Sequence, residues 1–281
     1  MAMSAQKPLS LGLRMQPAIP FFREAGAGPS VVCLHSNASS SNQWRGLMDA
    51  LAPRFHVLAA DSYGAGKSPG WPTNYAVGLE DEVALMEPVF ARAGEPFALV
   101  GHSYGAAVAL VAALAQPHRI RALALYEPTL FGLLDAESPP PHEADGIRGA
   151  VAGAASALDA SDASGAAECF IDYWMGQGAW LRTPEPRKPA IAAAVANVRG
   201  WSSALFNQRT PLAAFSGLKV PVLYMTGKDS PASSLGVARL LTGALPQVQV
   251  VEFEGLGHMG PITHPEVVNQ AISAFLERVS V

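Results

Sequence analysis

The chain has 281 residues, of which 49% are hydrophobic and 15% charged, and its formal net charge is -4 at pH 7. A charged fraction well below the usual ~25% excludes a disordered chain, and a chain of this length can bury about 75% of its unfolded surface without a metal or disulfide staple. With 19 Lys+Arg against 23 Asp+Glu there is no basic excess to neutralise phosphate backbones, which argues against nucleic acid as a partner.

The elements follow in chain order. Gln6, Lys7 and Pro8 stand where a secretory leader would begin its apolar run, and a short strand is possible at residues 11–15. Short β-branched runs predict strands at residues 18–24, 30–35, 56–60, 97–102, 122–126, 220–226 and 247–253. Helical patterns fall between them at residues 41–51, 76–93, 104–115, 233–241 and 265–279. This alternation predicts an α/β protein with a mostly parallel sheet flanked by helices. The apolar stretch at residues 106–115 is too short to span ~30 Å of hydrocarbon, so a soluble, cytoplasmic protein with no membrane partner is expected.

Residues 131–215 break the rhythm. They contain no convincing strand, open with Ser138-Pro139-Pro140-Pro141, and carry Phe131, Phe170, Tyr173, Trp174, Trp180, Trp201 and Phe206. A helical insertion rich in aromatics can serve as a lid over a site at the strand ends, or simply as a subdomain with its own core. The expected organisation is a core of residues 1–130 and 216–281, interrupted by a lid at 131–215.

Two serines stand in G-x-S-x-G. The pattern alone occurs by chance in about one chain of this length in ten, so the surroundings must decide. Ser103, in Gly101-His102-Ser103-Tyr104-Gly105, lies between a predicted strand and a predicted helix, and Tyr104 offers a backbone N–H to an oxyanion. Ser68, in Gly66-Lys67-Ser68-Pro69-Gly70, is followed by a proline with no N–H and by a segment that cannot start a regular helix. The same loop ends like a phosphate-binding G-x-x-x-x-G-K-[ST], but Asp61 occupies the first glycine position and no helix follows the lysine.

A serine nucleophile needs a base and a group that orients the base. His258 sits in a Gly-rich loop between the last strand and the last helix, while His264, before Pro265, reads as a helix entry. Asp229, in the turn after the strand at 220–226, is the expected acid, with Glu127 in Tyr126-Glu127-Pro128 as its rival. Asp229 also has a purely structural alternative, capping the helix that follows Pro231. The order Ser103, Asp229, His258 is the Ser…Asp/Glu…His order of α/β-hydrolases.

On these residues the chain resembles the α/β-hydrolase fold family over nearly all of its length except the insertion. Cys33-Leu34-His35-Ser36 resembles the family's strand followed by His-Gly, with Ser36 in place of the glycine, and the segment Asp61 to Ser68 resembles its structural D-x-x-G-x-G-x-S turn. The resemblance implies an eight-stranded sheet and an oxyanion hole formed by the backbone N–H groups of Asn37 and Tyr104. Ser36, Phe131, Trp174, Trp201 and Met259 are expected to line the pocket.

Family members that form an alkyl ester, the epoxide hydrolases and haloalkane dehalogenases, carry aspartate where this chain has Ser103. Acyl chemistry on a small to medium, largely apolar carboxylic ester is therefore expected. Carbon–carbon hydrolases of the meta-cleavage type are the alternative, although they typically show asparagine before the nucleophile and tryptophan after the histidine, where this chain has His102 and Met259-Gly260. Perhydrolases share the whole triad, and a catalytically silent receptor or scaffold is the non-enzyme alternative. No metal or organic cofactor is expected. Cys33 and Cys169 lie too far apart in sequence to suggest a disulfide framework or a zinc cage.

Overall fold

The computed structural model describes residues 18–72, 76–137 and 142–280. Seven strands form one sheet: β1 (Phe22–Ala25), β2 (Ser30–Leu34), β3 (His56–Ala60), β4 (Phe97–His102), β5 (Ile120–Tyr126), β6 (Val222–Gly227) and β7 (Val248–Phe253). Their order is β1-β3-β2-β4-β5-β6-β7, with β1 antiparallel to β3 and every other pair parallel. An eighth strand at residues 11–15 falls outside the described residues.

Two strands start later than their apolar runs predict, and both have a proline near the start. The runs beginning at 18 and 220 become β1 at Phe22 and β6 at Val222, after Pro20 and Pro221. Proline has no N–H for a ladder, which fits the delay. The central strands β2 and β4 are buried at every residue, as expected for parallel strands covered on both faces.

Helices α1 (Arg45–Leu51), α2 (Leu79–Ala93) and α3 (Tyr104–Ala115) occupy the first half. Between β5 and β6 the chain leaves the sheet and forms α4 (Gly132–Glu137), α5 (Asp145–Asp159), α6 (Ala163–Met175), α7 (Ala179–Arg182), α8 (Lys188–Val195) and α9 (Val198–Phe206). No strand occurs among the described residues of this insertion. Its Phe170, Trp174, Trp180 and Trp201 are buried within the same apolar cluster as the core residues of α2 and α3, so the insertion packs on the sheet's helices. The sheet resumes with β6, followed by α10 (Ala232–Ala244), β7, α11 (Gly260–Thr263) and α12 (Pro265–Val279). His264 is the residue immediately before α12, as its Pro265 neighbour suggests.

Parallel strands aim their carboxyl ends at one edge of the sheet, and ligand sites in such folds gather there. At that edge lie the loop His35 to Ala38 after β2, Ser103 after β4, Glu127 after β5 and the turn after β6. His258, which follows β7, joins them. Among the described residues no helix is long and apolar enough to cross a membrane. Cys33 is buried and Cys169 half-buried, and both are free thiols. Burial pushes the Cys33 thiol far up.

Candidate active site

Ser103 occupies the corner between β4 and α3 with φ 56° and ψ -116°, a conformation that non-glycine residues avoid. Its neighbours explain why the corner can close. A Cβ on Gly101 would sit 2.5 Å from the Ala106 backbone, and one on Gly105 would sit 2.3 Å from the Leu34 carbonyl oxygen. The second contact presses the start of α3 against the end of β2, where the loop His35 to Ala38 departs. The Ser103 N–H donates to the Tyr126 carbonyl at 2.9 Å, fixing the corner against β5.

His258 Nε2 lies 2.9 Å from Ser103 Oγ, and His258 Nδ1 lies 2.6 Å from Glu127 Oε2. The Ser234 hydroxyl also approaches Nδ1, at 3.2 Å. Glu127 is fully buried and has φ 44°, a second non-glycine residue held in the left-handed region. Its other oxygen, Oε1, accepts from the Thr226 hydroxyl at 2.8 Å, the Gly227 N–H at 2.7 Å and the Ser230 hydroxyl at 2.6 Å. Burial alone would raise the Glu127 carboxyl. The hydrogen bond and charge of His258, together with Ser230 and Gly227, outweigh it and hold the group below the ordinary range.

The acid beside the histidine is therefore Glu127 and not the expected Asp229. The turn after β6 carries the reason. The Asp229 N–H donates to the Leu256 carbonyl at 2.9 Å and the Ser230 N–H to the Gly227 carbonyl at 3.2 Å, and this tight path sends the Ser230 hydroxyl inward and leaves Asp229 exposed. Asp229 borders a different hollow, and it makes no hydrogen bond or ion pair to His258. Nor does it cap the following helix, since the residue before α10 is Pro231 and no side chain caps it. Thr226, Gly227 and Ser230 of the same strand end and turn instead serve the carboxylate of Glu127.

Asn37 and Ser36 lie beside Ser103 in the wall of one cavity of about 430 Å³. His35 Nδ1 lies 2.7 Å from the Ser36 carbonyl, and its Nε2 accepts from the Ser62 N–H at 3.0 Å, so the ring proton sits on Nδ1 and is donated to that carbonyl. In a trans peptide the N–H opposes the C=O, so the Asn37 N–H points away from His35. Ala38, next along, has φ 55°. Tyr104 begins α3, and the first N–H groups of a helix have no partner within it. The substitution of Ser36 for glycine is accommodated: its N–H and hydroxyl both donate to Gln43 Oε1, at 3.2 and 3.1 Å.

Phe131, Trp174, Trp201 and Met259 line the same cavity as Ser36. Trp174 of α6 stacks on the His258 ring, with centroids 4.0 Å apart and planes inclined by 28°, so the insertion touches the imidazole directly. Trp174 also packs against Phe170 and Tyr173, and Tyr173 shares a 2.8 Å hydrogen bond with Ser233 of α10. Among the described residues no cluster of three or more His, Cys, Asp or Glu side chains could hold a metal ion.

The second G-x-S-x-G is a clamp. Ser68 Oγ accepts from the Phe21 N–H at 2.9 Å and donates to the Asp61 carbonyl at 2.7 Å. Asp61 in turn accepts from the Ser41 and Lys67 N–H groups at 2.6 and 2.9 Å. The loop thus ties the edge strand β1 to the end of β3. Gln43, His102, Ser230 and Ser234 join the site without a sequence signal of their own: Gln43 lies outside any motif, and His102 marks only a departure from the meta-cleavage pattern.

A strained serine between strand and helix, an imidazole on its hydroxyl and a buried carboxylate behind the imidazole define a class, and the chain-wide comparison agrees. A family model described as the alpha/beta hydrolase fold matches residues 29–265, and the chain belongs to that family of hydrolases. It is 28% identical over 275 residues to the 2-(acetamidomethylene)succinate hydrolase of Mesorhizobium japonicum, spanning 91% of this chain and 90% of that one. It is 25% identical over 261 residues to the pimeloyl-[acyl-carrier protein] methyl ester esterase of Nitrosomonas europaea, spanning 89% and 95%. A solved structure of a thermophilic esterase from Thermogutta terrifontis has a TM-score of 0.72 at 22% identity, over 93% of this chain and 94% of that one.

Proposed function

We propose that the protein is a serine hydrolase that cleaves a carboxylic ester of a small to medium substrate through an acyl-enzyme on Ser103, with the inserted helices as its lid. The observation that carries the reading is the continuous line from Ser103 Oγ through His258 to the buried Glu127. Ser103 Oγ attacks the carbonyl carbon while His258 Nε2 takes its proton, and Glu127 accepts the Nδ1–H bond and stabilises the imidazolium. The Tyr104 and Asn37 N–H groups receive the oxyanion, each such donor being worth about 2.7 to 4 kcal/mol. His258 then gives the proton to the departing alcohol. Water, deprotonated by the same imidazole, attacks the acyl group and releases the acid and Ser103.

A cavity of about 430 Å³ suits a small ligand, and the similarity to a methyl ester esterase supports the bond type. The test is hydrolysis of short-chain to medium-chain nitrophenyl esters by the wild type and Ser103→Ala. Activity confined to the wild type supports the reading, and equal rates overturn it.

A second reading keeps the same residues and changes the bond cleaved, to an amide or a carbon–carbon bond in an anionic small molecule. The relative from Mesorhizobium is named for a substrate that combines an acetamido group with succinate. Consistent with such a substrate, Arg182 and Arg187 stand in the cavity wall, and among the described residues no Asp or Glu side chain lines it. Under this reading, Arg187→Ala raises KM for a dicarboxylate substrate severalfold and leaves KM for a neutral ester unchanged. Equal effects on both would remove the second reading.

A further inference from the structure

The last residue of β4, His102, is buried immediately before the nucleophile and takes no part in the proton path described above. Its ring makes two hydrogen bonds whose directions can be worked out from the far end. Gln43 Oε1 receives two donors, the N–H and the hydroxyl of Ser36. That fixes the amide, so Gln43 Nε2 must be the group 3.0 Å from His102 Nδ1, and it donates. With Nδ1 accepting, the neutral imidazole carries its proton on Nε2, which lies 2.8 Å from the His258 carbonyl oxygen and donates to it.

We propose that Gln43 and His102 are positioning residues that tie the oxyanion loop to the backbone of His258 through the chain Ser36, Gln43, His102, His258. The proposal rests on the serine-hydrolase reading. A triad histidine is usually considered held through its ring, yet here the loop is also held through consecutive carbonyls. Tyr126 Oη donates to the Gly257 carbonyl at 2.8 Å, while His102 Nε2 takes the next one. Tyr126 and His102 end neighbouring strands and meet edge to face, with ring centroids 5.6 Å apart. The two halves of the machinery, oxyanion donors and base, are therefore fixed to the same strand end.

The tie requires a neutral His102, because an imidazolium would turn an N–H toward the Gln43 amide donors. Burial, reinforced by the facing His258 and His35 rings, holds His102 well below the ordinary histidine range. The arrangement also gives Ser36 a purpose: a glycine there would leave Gln43 Oε1 with one donor from that residue instead of two.

Two measurements on the full chain test the proposal. In 15N-detected spectra of the wild type, His102 should show the Nε2–H tautomer with no titration between about pH 5 and 8. An Nδ1–H tautomer, or a titration in that interval, would overturn the relay whatever happens to the variants. In the second, Gln43→Met keeps the length of the side chain but can neither orient nor donate. We expect kcat to fall about 10-fold to 100-fold with KM within about twofold, the scale of effect for misplacing a reacting group by an ångström or less. The rate of fluorophosphonate labelling at Ser103 should fall in parallel. Unchanged kcat and labelling in a folded Gln43→Met protein would refute the relay alone, whereas no labelling at Ser103 in the wild type would refute the reading beneath it.

Discussion

Gly101 to Gly105 and Gly66 to Gly70 spell the same five-residue pattern, and the fold uses them in opposite ways. In the first, the serine is forced to φ 56° and its hydroxyl lies 2.9 Å from an imidazole nitrogen in the wall of a cavity. In the second, the serine hydroxyl is used up by the Phe21 N–H and the Asp61 carbonyl, and the loop holds an edge strand in place. The strand before and the helix after decide which of the two a G-x-S-x-G becomes. A hydroxyl with both its donor and acceptor capacity spent on backbone is a fastener, and one aimed at a base is a nucleophile.

Ser103→Ala should lower turnover on the order of 10⁶-fold in ester assays while leaving thermal stability close to that of the wild type. Next in size is the acid. Glu127→Gln should cost about 10³-fold to 10⁴-fold in kcat, through loss of the imidazole's tautomer and of its counter-charge, whereas Asp229→Asn should change it by less than about threefold. A large loss at Asp229 with little at Glu127 would reverse the assignment of the acid.

Two buried carboxylates, Glu127 and Glu82, respond to pH in opposite ways. Glu127 is held below its ordinary range, so the stability it contributes is present near neutrality and is lost as pH falls through its folded-state value. Glu82 lies beneath the elbow, where it accepts from the Tyr104 hydroxyl at 3.2 Å, and burial pushes it up to about 7. Its sign is opposite: the folded state favours the protonated form, and that stability is lost as pH rises from the ordinary carboxylate value through about 7. Thermal melts of Glu82→Gln from pH 5 to 8 should show a flatter profile than the wild type, with a gain of a few kcal/mol at the alkaline end. An unchanged slope would contradict this. The smallest effect expected is that of Ser68→Ala, which should lower stability by about 1–3 kcal/mol and leave the activity per folded molecule intact.

Much of this was legible in the sequence for a physical reason. Strand, tight turn and helix are local features, and Ser103 and His258 announce themselves by the glycines around them. The choice between Glu127 and Asp229 was not local. Both stand just past the end of a strand at the same edge, and what separates them is which side chain each turn rotates inward. Asp229 is carried outward by a tight turn, closed by the Ser230 N–H on the Gly227 carbonyl and anchored by the Asp229 N–H on the carbonyl of Leu256, a residue that the sequence does not show to be a neighbour. The positive φ of Glu127, ahead of Pro128, also left no mark that a non-glycine residue could display. Gln43 was invisible for the same reason, because its partners Ser36 and His102 come together only through the pairing of β2 with β4. The late starts of β1 and β6 are marked in the sequence by Pro20 and Pro221.

Ser103, and not Ser68 in the matching loop, is the proposed nucleophile of this hydrolase. Labelling the wild-type protein with a fluorophosphonate and mapping the adduct by peptide mass spectrometry tests it directly. One adduct is expected, on Ser103, abolished in Ser103→Ala and strongly slowed in Glu127→Gln. An adduct on Ser68, or none at all on a folded protein, would contradict it.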